Sequence, residues 1–435
     1  MAHHTLKSGY DSLVERLNRM PQGAPPSKTL YAILKMLFSE REAALVAELP
    51  VRPFTAVHAA KAWHMDEAEA RRHLDALASR AILLDIEQPD GQVTYVLPPP
   101  MAGFFEFSMM RLRGDIDQHV LGELFYQYMN VEEDFIRELF ANGETQLGRV
   151  FVQEAQLPPL EMLEDRGLYV LDYERASEVI RQAHHRAIGV CYCRHKMQHV
   201  DRACSAPLDI CMTFNNSAAS LIRHEFAREV DIAEGLDLLQ QAQQLGLVQF
   251  GENVRQGVNF ICNCCGCCCE ALIATRRFAS MHPVHTSNYL PVVDESVCNG
   301  CGKCVNACPV EAMTLVSAND PHHPKLHMAR LNQELCLGCG VCVRACSRLG
   351  LKLEHRPQRV ITPVDSVYRT VLMAVERDSL QNLLIENQAL TSHRAMAAVL
   401  GALLRLPPVK RSLASQQMKS VYLERLYERV GEWAF

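Results

Sequence analysis

Cys298-Asn-Gly-Cys301-Gly-Lys-Cys304-Val-Asn-Ala-Cys308-Pro309 is the stretch from which the rest of the chain is best read. It returns as Cys336-Leu-Gly-Cys339-Gly-Val-Cys342-Val-Arg-Ala-Cys346. Both runs have the spacing Cys-x2-Cys-x2-Cys-x3-Cys. Zinc sites instead use pairs of Cys-x2-Cys separated by a dozen or more residues. Two dense, equally spaced runs argue against that arrangement.

A tight loop with a cysteine at every third position aims three thiolates at one small volume. The fourth, four residues on, points away and completes a neighbouring site. The pattern therefore predicts two cubane [4Fe–4S] clusters with exchanged ligands. Cys298, Cys301, Cys304 and Cys346 would hold one, and Cys336, Cys339, Cys342 and Cys308 the other. Gly300, Gly302, Gly338 and Gly340 permit positive φ and let backbone N–H groups approach sulfur.

Residues 291–355 resemble the bacterial two-cluster ferredoxin domain. The resemblance implies low-potential, one-electron transfer. One departure is Ser347, which stands where a proline usually follows the last cysteine. The segment between the runs is longer than in the smallest members. Its His322, His323 and His327 are expected to be solvated rather than ligands.

The chain has 435 residues and a net charge of −6, with 48% apolar and 22% charged residues. That length suggests about three domains. The acidic balance argues against a general nucleic-acid-binding surface. All 18 cysteines lie between Cys191 and Cys346. A secreted disulfide scaffold or metal ligation could explain such density. Disulfide scaffolds are short, and the opening Met1-Ala-His-His lacks a basic-then-apolar leader pattern, so metal ligation in the cytoplasm is the expectation. The longest apolar stretch, Ala395 to Leu404, is too short for the ~20 residues of a membrane span.

Ten cysteines lie upstream of the repeated runs: Cys191, Cys193, Cys204, Cys211, Cys262, Cys264, Cys265, Cys267, Cys268 and Cys269. On an extended strand, successive side chains point to opposite faces. The cluster Cys264 to Cys269 therefore cannot all face one centre if extended. Either Gly266 turns the chain, or two sites share the segment. Ten thiolates can hold two further cubanes, one unusually ligated cluster plus a reactive thiol pair, or a zinc or copper thiolate cluster. One or two additional iron–sulfur clusters are the expectation, as in the multicluster ferredoxin-type proteins of anaerobic bacteria that this arrangement resembles. Arg194, His195, Lys196 and His199 follow Cys193. They would raise a cluster's potential by their charge, or form a solvated basic loop. His195 or His199 is a lesser ligand option.

The overall expectation is a multidomain α+β protein. Residues 1–27 read as a tail or linker ending in Pro25-Pro26. Residues 28–100 read as a winged-helix-like domain. Leu30, Ile33, Leu34 and Leu37 have helical spacing, and a second helix covers Phe54 to Trp63. Asp66 and Glu69 form a capping box, and Pro89-Asp90-Gly91 turns a hairpin. Residues 101–165 read as a helical connector with aromatic faces, broken at Pro158-Pro159. Residues 166–290 read as a cysteine-rich α/β domain. In it, two helices, from Asp172 to about Ala187 and from Asp231 to about Leu245, each precede an apolar run ending in Cys-x-Cys. Residues 360–435 read as helical, with Thr362-Pro363 opening the first helix, Ser392 the second, and a third near 410–429.

Nothing resembles a nucleotide-binding glycine loop or a phosphate-loop lysine motif. Electrons would therefore arrive from a redox partner protein or oxidoreductase subunit. The favoured expectation is an electron-transfer protein rather than a stand-alone enzyme. The alternative is a cluster-based redox-sensing regulator that binds DNA through the winged helix. Against it, the recognition-helix segment carries one net negative charge across Asp66–Arg80.

Overall fold

The structure is a computed structural model that describes residues 7–112, 114–141, 143–153, 174–278, 283–319, 325–357, 360, 362–385 and 391–405. Pro158-Pro159, Asp172, His322, His323 and the third C-terminal helix fall outside these residues.

The first helix, Gly9–Leu17, corrects the tail reading. Ser8 and Asp11 cap it reciprocally. Tyr10, Leu13, Val14 and Leu17 recur at 3–4-residue spacing and are buried in the main core. Helices Lys28–Leu37, Glu40–Glu48, Ala56–Trp63 and Glu67–Ala78 follow. Phe54–Thr55 is a short strand ahead of the third of these, not part of the helix. Asp66 caps Glu69 N–H, and only that half of the capping box is present. The strands Leu84–Glu87 and Val93–Val96 form the expected hairpin, with Gly91 at φ 81°. Phe54–Thr55 adds to it, giving the order 54–55, 93–96, 84–87.

In the connector, helices Gln118–Tyr126 and Asp134–Ala141 gather an aromatic cluster. Phe105 meets Phe104 at 4.7 Å and Phe125 at 5.2 Å, centroid to centroid. The connector is not wholly helical. Gly148–Val150 is an edge strand of the central sheet.

That sheet has six strands in the order Gly148–Val150, Val248–Glu252, Phe260–Cys264, Cys211–Phe214, Arg186–Gly189 and Ala227–Glu229. Every neighbouring pair is antiparallel. The unit is therefore mixed α/β, with antiparallel strands and flanking helices. Ile232–Gln244 is the helix expected after Asp231, whose carboxylate accepts from Glu234 N–H. Its counterpart is shorter than expected, Ala176–Gln182, and Ala187 is in a strand.

Two small antiparallel ribbons frame the repeated cysteine runs. Tyr289–Val293 pairs with Leu351–His355, and Met313–Ser317 pairs with His327–Leu331. The first ribbon ties the two ends of this unit together. The C-terminal helices are Ser366–Glu376, Leu380–Leu384 and Thr391–Leu404. Asp365, not Thr362, caps the first by accepting from Tyr368 N–H. Arg369 pairs with Glu252 at 2.9 Å, and Arg377 donates to the Pro21 carbonyl at 2.7 Å. This segment thus bridges the central sheet and the N-terminal helices. No helix among the described residues is long and apolar enough to cross a membrane.

Candidate functional site

In the repeated runs, each third cysteine sits in a one-turn helix, Lys303–Ala307 or Val341–Ala345. Gly302 and Gly340 enter these helices at φ 76° and 87°. A Cβ on Gly300 would stand 2.2 Å from the His327 carbonyl oxygen, and one on Gly338 2.2 Å from that of Tyr289. Only glycine suits these approaches. Cys298, Cys301 and Cys304 line one cavity together with Cys346 from the second run. Cys308 of the first run lies within electrostatic reach of Cys336, Cys339 and Cys342. Cys346 thus lies beside the first run and Cys308 beside the second.

The surroundings suit thiolates bound to cations. Cys298 accepts from Ala329 N–H at 3.4 Å, Cys308 from Ala312 N–H at 3.2 Å, and Cys336 from Gly338 N–H at 3.4 Å. Burial pushes Cys336 up to about 11 and Cys339 up to about 12, and raises Cys342 further. Such thiols stay protonated unless a metal draws the proton off. Lys303 Nζ donates to Ser347 Oγ at 3.1 Å, so the serine that replaces proline has a partner in the other run. His327 is exposed on its strand.

The upstream cysteines divide. Six of them, Cys191, Cys193, Cys211, Cys262, Cys264 and Cys269, surround a cavity of about 100 Å³. Neighbouring thiols round the cavity lie within electrostatic reach of one another, Cys191 of Cys211, Cys211 of Cys262, Cys262 of Cys264, Cys264 of Cys269 and Cys269 of Cys193. Cys262 and Cys264 come from one face of strand Phe260–Cys264, as alternation requires. Cys191 and Cys193 do not continue a strand. Strand Arg186–Gly189 ends, and Cys191 becomes the N-cap of helix Tyr192–His199. Cys269 likewise stands at the N-cap of helix Glu270–Arg277, where the Ala271 and Leu272 amides favour its thiolate. Hydrogen bonds from Cys193 and Cys264, with those amides, hold it well below the usual thiol range. Hydrogen bonds from Cys211 and Cys264 lower Cys262 to about 7.

The other four, Cys204, Cys265, Cys267 and Cys268, form a separate group whose Sγ atoms all lie within 4.8 Å of one another. Gly266 turns the chain between Cys265 and Cys267, so the segment feeds both groups. Cys265 and Cys268 also contribute to the cavity wall.

The basic residues after Cys193 are not a solvated loop. Arg194, His195 and Lys196 are 1%, 3% and 0% exposed. Desolvation opposes the Arg194 charge, but Cys191, Cys211, Cys265 and Cys264 favour it more strongly. His195 bonds the Met109 carbonyl at 2.8 Å, and His199 Nε2 lies 3.2 Å from His195 Nε2. Both rings face the connector rather than the thiols. Lys196 forms a buried ion pair with Glu270. Another carboxyl by the cavity, Glu106, is pushed up to about 7 by desolvation. Sequence reasoning missed Glu106 and Glu270, because neither has a motif.

The two thiol-rich regions touch. A Cβ on Gly266 would stand 2.4 Å from the Pro309 carbonyl oxygen. Arg276 pairs with Glu311 at 3.0 Å across the same contact and donates to the Gly266 carbonyl at 2.7 Å.

Residues 297–348 match the family model described as a 4Fe-4S dicluster domain. The chain carries an iron–sulfur dicluster domain. A comparison with curated proteins gives no match. Together with the clustered upstream cysteines, the dicluster domain supports an iron–sulfur electron-transfer role.

Proposed function

We propose that the chain relays single electrons between a redox partner protein and a third iron–sulfur centre held by its upstream cysteines. Cys298, Cys301, Cys304 and Cys346 would ligate one dicluster cubane, and Cys336, Cys339, Cys342 and Cys308 the other. The ring of Cys191, Cys193, Cys211, Cys262, Cys264 and Cys269 would hold the third centre. When bound, such clusters supply reversible one-electron storage. The protein's own part is to hold them, shield them from water and balance their charge. Arg194 beside the ring provides the fixed positive charge.

The observation that carries this reading is the contact of Gly266 with Pro309. Pro309 follows dicluster Cys308, and Gly266 lies between two upstream cysteines. Electrons would cross there without leaving the folded interior. Cluster ligation needs reduced cysteines, which fits a reducing compartment such as the cytoplasm.

We read the N-terminal unit as a winged-helix-type module used for docking rather than for DNA. Arg71 pairs with Glu67 at 3.7 Å, and Arg80 pairs with Glu42, so carboxylates offset two of the three arginines of this helix segment. Its hairpin grips the cysteine-rich unit instead: Asp85 accepts from Ser220 Oγ at 2.6 Å and Arg223 Nη1 at 2.7 Å.

Anaerobic purification with iron and sulfide analysis tests the proposal. The dicluster domain alone gives about eight of each per chain. More than that is expected, with the excess lost in Cys264→Ser while the dicluster paramagnetic signals persist. An unchanged iron content and spectrum in Cys264→Ser would refute the third centre.

A further inference from the structure

Four upstream thiols differ geometrically from the other fourteen. Cys204 Sγ lies 3.5 Å from Cys265 Sγ and 3.9 Å from Cys268 Sγ, and Cys267 Sγ lies 3.7 Å from Cys268 Sγ. A tetrahedral ion with metal–sulfur bonds of ~2.3 Å places its sulfurs ~3.8 Å apart, because a tetrahedron's edge is about 1.63 times its centre-to-corner distance. The observed separations bracket that value.

Cubane ligands do not sit this close, because each thiolate binds a different iron corner. The same molecule supplies the comparison. Among the described residues, no three of the eight dicluster cysteines have their Sγ atoms within 4.8 Å of one another. The four-thiol group has the spacing of a single ion, and the dicluster cysteines do not.

We propose that Cys204, Cys265, Cys267 and Cys268 hold one zinc ion in a closed tetrathiolate site. Four protein ligands leave no open position, which is the mark of a structural rather than a catalytic zinc. Between zinc and ferrous iron, the stability order of divalent metals favours zinc at such a site. The ligands come from two segments. Cys204 lies between helix Tyr192–His199 and strand Cys211–Phe214, and the other three lie in the turn after strand Phe260–Cys264. Arg194 already links these segments, donating to the Pro207 carbonyl at 2.9 Å and the Asn263 carbonyl at 2.5 Å. Its charge offsets part of the −2 of a zinc tetrathiolate. The ion would pin the turn that carries Gly266, and so the face presented to Pro309.

This inference goes beyond the electron-relay reading and stands apart from it, since zinc and iron are counted separately. The test is zinc-edge X-ray absorption and metal analysis on anaerobically purified full-length protein. One zinc per chain is expected, with four sulfurs at ~2.3 Å. Cys267 is exposed, so Cys267→Ser is the variant least disruptive to folding. It should lose most of the zinc or exchange one sulfur for an oxygen at ~2.0–2.2 Å, with acid-labile sulfide unchanged. Absence of zinc in the wild type, iron in its place, or a sulfur shell unaltered in Cys267→Ser would each overturn the proposal. The wild-type spectrum decides even if the variant fails to fold.

Discussion

Gly266 and Pro309 meet backbone to backbone. Any side chain at 266 would drive its Cβ to within 2.4 Å of the Pro309 carbonyl oxygen and 3.0 Å of the Pro309 Cα. Gly266→Ala should therefore push the two thiol-rich regions apart. The overlap is expected to cost about 1–3 kcal/mol in chemical denaturation. Iron content should stay near wild type while electron exchange between the regions slows, as read by rapid-freeze paramagnetic resonance after partial reduction. Unaltered exchange would show that this contact is not the route.

Ligand exchange gives a pairing test. Cys346→Ala should damage the same cluster as Cys298→Ala, although 48 residues separate the two positions. Each should lose about four iron per chain. Cys308→Ala should instead reproduce the spectrum of Cys336→Ala. Matching spectra for Cys346→Ala and Cys336→Ala would overturn the crossed assignment.

Lys196 and Glu270 form an ion pair with side-chain exposures of 0% and 4%. Removing one charge strands the other in the interior. Lys196→Met should destabilise the protein by about 3–5 kcal/mol, and the double variant with Glu270→Leu should recover much of that loss. Denaturation of the three variants forms the required cycle.

Asp85 gives a pH signature. Desolvation raises its carboxyl, but hydrogen bonds from His224, Ser220 and Arg223 outweigh it and leave Asp85 below the usual range. A carboxyl lowered by folding stabilises the native state in full above its unfolded value, about pH 4, and that contribution fades as pH falls through the lowered value. Asp85→Asn should thus cost about 1.5–3 kcal/mol at neutral pH and progressively less below about pH 4. Urea midpoints of both proteins across that interval check it. A constant difference would exclude the carboxylate as the cause.

The dicluster domain was legible because its ligand spacing is itself the structure. Three cysteines at every third position, with Gly302 and Gly340 at positive φ, leave little for distant contacts to decide. The division of the upstream ten was not legible. It depends on which strand lies beside which, and only the sheet brings Cys211 next to Cys262. A turn at Gly266 and two sites on one segment read from the sequence as alternatives, whereas the turn sets Cys262, Cys264 and Cys269 on the cavity and Cys265, Cys267 and Cys268 beside Cys204. Helix Gly9–Leu17 was hidden by the proline-rich stretch after it, although Leu13 and Leu17 have helical spacing. Strand Gly148–Val150 has three residues and no alternation to read; Phe250 covers it, and a Cβ on Gly148 would overlap that ring at 2.1 Å.

Strand Cys211–Phe214 runs without a break into helix Asn215–Arg223, whose last residue is held by Asp85 on the N-terminal hairpin. A ligand-bearing strand and an anchoring helix are thus one continuous strut. Trimming the gene to its cysteine-bearing half would leave that strut free at one end, so the first hundred residues act as a foundation for the metal-binding part and cannot be discarded as a detachable accessory.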